Sequence, residues 1–344
     1  MSLANDGRHP WEEAGPHQVT EGIYRLPLPL PGDGLRAVNV YAIEQPSGVV
    51  LIDSGWEIIE AEQQLAAGLG VLGHDLGAVS RILVTHVHRD HFELGLALRR
   101  RFGSRLEVGA GERSSLQSLI DPEDPSPLQV RLRQAGAGAL LELLTEQRAR
   151  RAAHGAPEEV RWGLPDHWLE DGHIIDLDGR RLEVLATPGH TQGHVVFVDR
   201  EEGSLFSGDH VLPHITPSIG FEQVPRDSAL ADYLASLSLV RGLPDLRMLP
   251  AHGPVRPGTH ARIDELLGHH EERLRATMDA VVGGASAHDV ASALSWTRRE
   301  RTFDELDTFN QMLAVNETAA HLDVLVDRGL LGSAQDKGIR RYSA

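Results

Sequence analysis

Four times along this chain a short apolar, strand-like run ends in a loop that sets histidine or aspartate beside small residues. Arg81–Thr85 leads into Thr85-His86-Val87-His88-Arg89-Asp90-His91, and Arg181–Thr187 into Thr187-Pro188-Gly189-His190-Thr191-Gln192-Gly193-His194. Ser204–Ser207 leads into Ser207-Gly208-Asp209-His210, and Met248–Pro250 into Pro250-Ala251-His252-Gly253. Strand-rich halves alternating with helices suggest an α/β layered sandwich, and each strand that ends in such a loop points its polar cargo toward one sheet edge. Glycine in three of the loops admits positive φ and close backbone approach. On extended chain His86 and His88, two apart, project to the same side. Asp90 and His91, at the turn into a helix, diverge toward a second point.

Cysteine is absent from the 344 residues, so disulfides, thiol catalysis and thiolate metal sites are excluded. Any metal must be held by imidazole and carboxylate, which directs attention to the 19 histidines. The 50 acidic against 33 basic side chains, a net charge of -17, argue against broad attraction to nucleic acid or an anionic membrane. Met1–Glu13 is polar and unlike a signal peptide, and no apolar run approaches the roughly 20 residues of a membrane span. The expectation is a soluble cytoplasmic protein.

Periodicity places strands at Gly22–Leu26, Ala37–Glu44, Gly48–Asp53, Leu106–Gly109, His173–Leu177 and His194–Asp199, besides the four runs above. Helices are expected at Glu57–Leu69, Phe92–Phe102 and Ser228–Arg241. Residues 111–167, with Asp121-Pro122, Asp124-Pro125 and Ser126-Pro127, read as a helical insertion with mobile tips. Beyond Pro257 the texture turns helical, at Ala261–Val282, His288–Trp296, Phe303–Leu313 and Val315–Arg328, with Gly329 as a stop. Leu330–Tyr342 reads as a hairpin, so this end looks like a winged-helix module.

The motif H-x-H-x-D-H at 86–91, His190 in T-P-G-H-T-x-G-H, Asp209 in G-D and His252 in A-H-G together resemble the binuclear hydrolase branch of the metallo-β-lactamase superfamily. The resemblance spans about residues 20–260 and implies a four-layer αββα sandwich over 1–260, with the insertion as lid or pocket wall. It implies His86, His88 and His190 on one ion, Asp90, His91 and His252 on a second, and Asp209 bridging them. Two divalent ions, zinc first with iron or manganese also compatible, suit ligands of this N and O type. Asp53 in Leu51-Ile52-Asp53-Ser54-Gly55 and His194 match positions that support the ligands from behind. His210 and His214, which follow Asp209, either line the pocket or are ordinary loop residues, while His154, His269, His270 and His321 read as solvated surface. Trp162 and Trp168 are either pocket wall or packing. Residues 261–344 resemble the winged-helix extension of β-lactamase-like protein 2.

Two departures narrow the chemistry. Phe92-Glu93-Leu94-Gly95 follows Asp90-His91 where many relatives carry small residues and paired glycines, so no one member's substrate transfers. Position 88 is histidine where diiron oxygen-reducing proteins of this type carry glutamate, favouring hydrolysis over redox chemistry. The expected activity is hydrolysis of an ester, thioester or lactone of a small molecule. A metal-bridging hydroxide would attack, with Asp90 or a metal-bound water handling the proton. The alternatives are an endoribonuclease using the same centre and a non-catalytic winged-helix regulator. Val315–Arg328 carries Glu317, Asp323 and Asp327 against Arg328, which argues against phosphate binding and for an interaction or homodimer role.

Overall fold

A computed structural model of the chain describes residues 11–32, 34–153, 162–227, 229–297 and 300–344. Ser228 at the start of one expected helix, and His154, lie outside the described residues. The first sheet holds β1 (His17–Thr20), β2 (Ile23–Pro29), β3 (Ala37–Gln45), β4 (Gly48–Ile52), β5 (Val79–Val84), β6 (Arg105–Gly109) and β7 (His167–Leu169), in that spatial order. It begins antiparallel and turns parallel from β4 onward, where helical crossovers replace hairpins. The second holds β8 (Ile174–Leu177), β9 (Arg180–Ala186), β10 (Val195–Asp199), β11 (Ser204–Gly208) and β12 (Arg247–Pro250), in the reverse spatial order.

Period-two alternation along the central strands assembles the layers. On β3, Tyr41 and Ile43 join Val195, Phe197 and Phe206 in a core between the sheets. Val38, Val40 and Ala42, on the other face of β3, pack with α1 (Ile59–Val71) and α2 (Arg89–Phe102). On β10, Val196 and Val198 turn outward to a third core beneath α6 (Ala229–Arg241) and α7 (His260–Asp279). Helix, sheet, sheet and helix therefore stack in the expected order. At roughly 1.5–3 kcal/mol for each fully buried Leu, Ile or Val, these cores far outweigh any single loop contact.

α2 begins at Arg89 rather than Phe92, so Asp90 and His91 lie in its first turn, and it ends at Gly103 in the left-handed conformation. The insertion forms α3 (Arg113–Ile120), α4 (Pro127–Gln134) and α5 (Gly138–Ala153). α4 and α5 pack into the third core through Leu132, Ala135, Ala137, Leu140 and Leu141. After α7 come α8 (Ala287–Ala293) and α9 (Thr308–Asp327), then β13 (Gly332–Asp336) paired antiparallel with β14 (Ile339–Ser343). The two helices expected at Phe303–Leu313 and Val315–Arg328 are one. Phe303–Glu305 is a single tight turn, Asp307 caps α9 by accepting the Asn310 N–H, and Ala314 continues it. His270 and His321 are fully buried, contrary to their reading as solvated surface, because α7 and α9 pack face to face there. Among the described residues no helix is long and apolar enough to cross a membrane.

Candidate metal centre

The four polar loops meet at one edge of the sandwich. β5 delivers His86 and His88, α2 delivers Asp90 and His91, the β9–β10 loop His190, the end of β11 Asp209, and the end of β12 His252. Backbone bonds fasten the loops across the sheets, with Val195 N–H donating to Thr85 O at 2.9 Å and Ala251 N–H to Gly208 O at 3.1 Å. Gly208 has φ 50°, and a Cβ on it would lie 2.8 Å from both His194 Nε2 and Thr85 Oγ1. Only glycine lets Asp209 follow β11 so closely.

His88 Nδ1 lies 3.0 Å from His86 Nε2 and 3.1 Å from His190 Nε2. Asp209 Oδ2 is 3.4 Å from His190 Nε2 and 3.9 Å from His86 Nε2. Its other oxygen, Oδ1, faces the opposite way, 3.4 Å from His252 Nε2 and 3.8 Å from His91 Nε2. Asp90 Oδ2 closes that side at 3.3 Å from His252 Nε2 and 3.5 Å from His91 Nε2. Two donor groups result, His86/His88/His190/Asp209 and Asp90/His91/His252, each with its donor atoms within 4.8 Å of one another.

Hydrogen bonds on the far side of three of the rings set which nitrogen faces inward. His190 Nδ1 meets Ser218 O at 2.8 Å, His252 Nδ1 meets Ala37 O at 2.8 Å, and His91 Nδ1 meets Asp53 Oδ2 at 2.9 Å. With those nitrogens donating outward, the lone pairs converge. The buried His91 Nε2, His252 Nε2 and Asp209 Oδ1 have no hydrogen-bond partner among the described residues. Converging lone pairs and orphaned buried polar atoms are what a divalent cation satisfies, so the residues fit metal ions of the kind that imidazole and carboxylate bind.

The electrostatics agree. Burial, with His91 and the other neighbouring imidazoles adding to it, holds His86 well below its ordinary value, and burial with His190 brings His88 down to about 3. Burial opposes a charge on His91, but the carboxylates of Asp90, Asp53 and Asp209 outweigh it and lift His91 to about 10. Burial would likewise raise Asp90, yet His91 and His252 keep it at about 2. The second group thus draws positive charge.

Asp53 and His194 sit directly behind the donors. Asp53 Oδ1 accepts from Thr85 N–H at 2.8 Å while Oδ2 takes His91, so one carboxylate ties β5 to α2. His194 Nε2 accepts the Asp209 N–H at 3.2 Å and its Nδ1 lies 2.9 Å from Thr187 Oγ1. His210 is buried against Tyr233 and does not line the mouth, whereas His214 is exposed. Trp162 stacks on Phe92, and Trp168 lies under Arg113. The sequence reading placed Thr85 in the first motif but assigned it no role, and it did not single out Ser218, Phe221, Phe309 or two buried glutamates, Glu112 and Glu222. Phe221 lies 5.9 Å from the His88 ring and 5.6 Å from Phe309 of α9. No local motif marks such residues; Glu112 and Glu222 carried no signal beyond their charge.

The model of the metallo-beta-lactamase superfamily matches residues 33–252, and the chain belongs to that superfamily, whose members are mostly hydrolases. A lactamase-like protein of Aspergillus fumigatus is 30% identical over 291 residues, covering 79% of this chain and 69% of that protein. Its counterpart in Neosartorya fischeri is 31% identical over 168 residues, 43% of this chain, and there the match spans only 49% of the relative. A hydroxyacylglutathione hydrolase of Haemophilus influenzae is 29% identical over 219 residues, 61% of this chain and 82% of that one. Among solved structures, a metallo-beta-lactamase family protein of Thermus thermophilus has a TM-score of 0.74 at 28% identity. It covers 94% of this chain and 99% of that one.

Proposed function

We infer that this chain is a binuclear metal-dependent hydrolase that cleaves an ester, thioester or lactone bond in a small molecule. The observation that carries the reading is the Asp209 carboxylate, whose two oxygens face two separate donor groups. His86, His88 and His190 would hold one ion, Asp90, His91 and His252 the other, and Asp209 both; zinc is the first candidate. Bound there, divalent ions would polarise the scissile carbonyl and lower the pKa of water from about 15.7 toward about 7.

The chain's own residues do the rest. Asp53 and the carbonyls of Ser218 and Ala37 hold three rings in the tautomer that turns Nε2 inward. Asp90, ionised throughout the neutral range, can accept a proton at Oδ2 but has none to donate. Phe221 lies beside His88 with Phe309 edge-on against it, an apolar flank that suits the acyl part of a substrate better than a phosphate chain. The likeness to a protein named a hydroxyacylglutathione hydrolase supports the acyl class. Residues 261–344 we read as a winged-helix-like module whose helix α9 packs in the core and reaches toward the centre; with twelve buried residues it is not free to enter a nucleic-acid groove.

Chelator-treated protein titrated with Zn2+ and assayed on thioesters, lactones and aryl esters tests the reading. Turnover should rise to saturation at two ions per chain, and Asp209→Ala should lower kcat/KM by about 10³-fold or more, since loss of the bridge removes both ions' alignment. Undiminished turnover in Asp209→Ala, or cleavage of an RNA oligomer with no acyl hydrolysis, would overturn it.

A further inference from the structure

Glu112 belongs to neither donor group, yet its carboxylate lies beneath both loops that build the first. It sits at the turn between β6 and α3 and is fully buried. Its Oε1 accepts the hydroxyl of Thr191, the residue after His190, and the same carboxylate faces the N–H of Val87, between His86 and His88. The chain is brought there by backbone-to-backbone contact. A Cβ on Gly193 would lie 2.0 Å from Glu112 N, one on Gly111 2.6 Å from Gln192 O, and one on Gly109 2.1 Å from Gly193 O. Side chains at those three positions would push the β6–α3 turn away from the His190 loop.

A second buried carboxylate grips the same loop from another side. Glu222, 5% exposed, accepts the Gln192 N–H at 2.8 Å, and the Gln192 side-chain amide donates to Val224 O. Thr191 and Gln192 are therefore each held by a separate glutamate. Burying two carboxylates is costly where apolar side chains would fill the space. What the carboxylates add is direction: they fix one hydroxyl and one amide of a loop that must present His190 at 3.1 Å from His88.

We propose that Glu112 is a positioning residue for the first ion, coupling the His190 loop to the His86–His88 segment through Thr191 and Val87, with Glu222 as the second anchor of that loop. This rests on the reading of the centre as a binder of two cations. The supports behind metal-binding histidines typically change metal affinity by about 10–100-fold when removed.

The test uses the full chain, stripped with chelator, with Zn2+ affinities read by competition against a chromogenic chelator and the absorption spectrum of the Co2+-loaded protein recorded. Glu112→Ala should weaken one of the two ions by about 10–100-fold and alter its Co2+ bands, while the ion on Asp90, His91 and His252 stays within roughly threefold. Glu112→Gln, which keeps an acceptor for Thr191, should restore most of the affinity. Thr191→Val should reproduce the loss with the carboxylate in place, and it carries the test if Glu112→Ala does not fold. A folded Glu112→Ala or Thr191→Val protein that binds both ions as the unaltered chain does would overturn the proposal. Failure of the unaltered chain to bind any cation would instead remove the reading on which it rests.

Discussion

Asp53 is one of the few non-glycine residues with positive φ among those described, at 60°, and it stands where β4 leaves the sheet. That conformation costs of order 1 kcal/mol or more and persists only where surrounding bonds over-determine it. Here the carboxylate meets the Thr85 N–H, the Thr85 hydroxyl and His91 Nδ1 at once. Asparagine tolerates the same backbone, so Asp53→Asn separates charge from conformation. It should fold and lose about 10–100-fold in affinity for the ion held with His91, as measured by metal content after dialysis against graded chelator. The seven inward donors were legible in sequence because each sits in a short motif at the end of an apolar run. Ser218 and Ala37 act through backbone carbonyls, which no residue type announces. Glu112 acts from a position that looks like any helix-entry glutamate.

At the level of elements, α7 and α9 show where periodicity misleads. His270 sits in the polar run His269–Arg273, whereas His321 lies among Ala319, Ala320, Leu322 and Val324; both are buried, and His270 Nδ1 lies 3.2 Å from His321 Nε2. Burial pushes His321 down to about 4, despite the Glu317 carbonyl that accepts from it, and burial with His321 brings His270 down to about 2. A histidine with a depressed folded value binds its proton in the unfolded chain first, so stability rises with pH between the two values. For His321 it is complete above about 6.5 and is lost progressively as pH falls toward about 4. Urea unfolding should therefore show stability falling from pH 7 to pH 4.5, and His321→Asn should make that fall smaller by roughly 1–3 kcal/mol, leaving the share of His270. The expectation of two helices in place of α9 failed for a related reason. Helix ends are set by caps, and the one that starts this helix is Asp307, upstream of Ala314.

Over the whole molecule, one ionic network joins parts that are far apart in sequence. Arg131 of α4 bonds Asp323 of α9 and Asp227 of the loop before α6, each at 2.7 Å, and Arg340 of β14 reaches Asp323 at 2.6 Å. Asp323 is only 2% exposed, so its charge depends on those arginines. Arg131→Ala, leaving Arg340 alone with a buried carboxylate, should lower stability by about 3 kcal/mol in urea unfolding. A change below about 0.5 kcal/mol, the size expected of a surface pair, would show that the insertion and the carboxy-terminal helices are not coupled through this network. The same assembly brings Phe309 of α9 to 5.6 Å from Phe221, the neighbour of His88, so α9 contributes to the core and also reaches toward the centre.

Sequence alone determined the donor types and the presence of a layered α/β sandwich, because loop motifs after apolar runs and strands alternating with helices are written locally, while the four-layer order followed from the family those motifs resemble. Which oxygen of Asp209 faces which histidines, which glutamates lie beneath the His190 loop, and whether a polar-looking helix face meets solvent or another helix were decided by tertiary packing. Those depend on contacts between residues tens to hundreds of positions apart, whose distances follow from how the layers close on one another and from no local pattern.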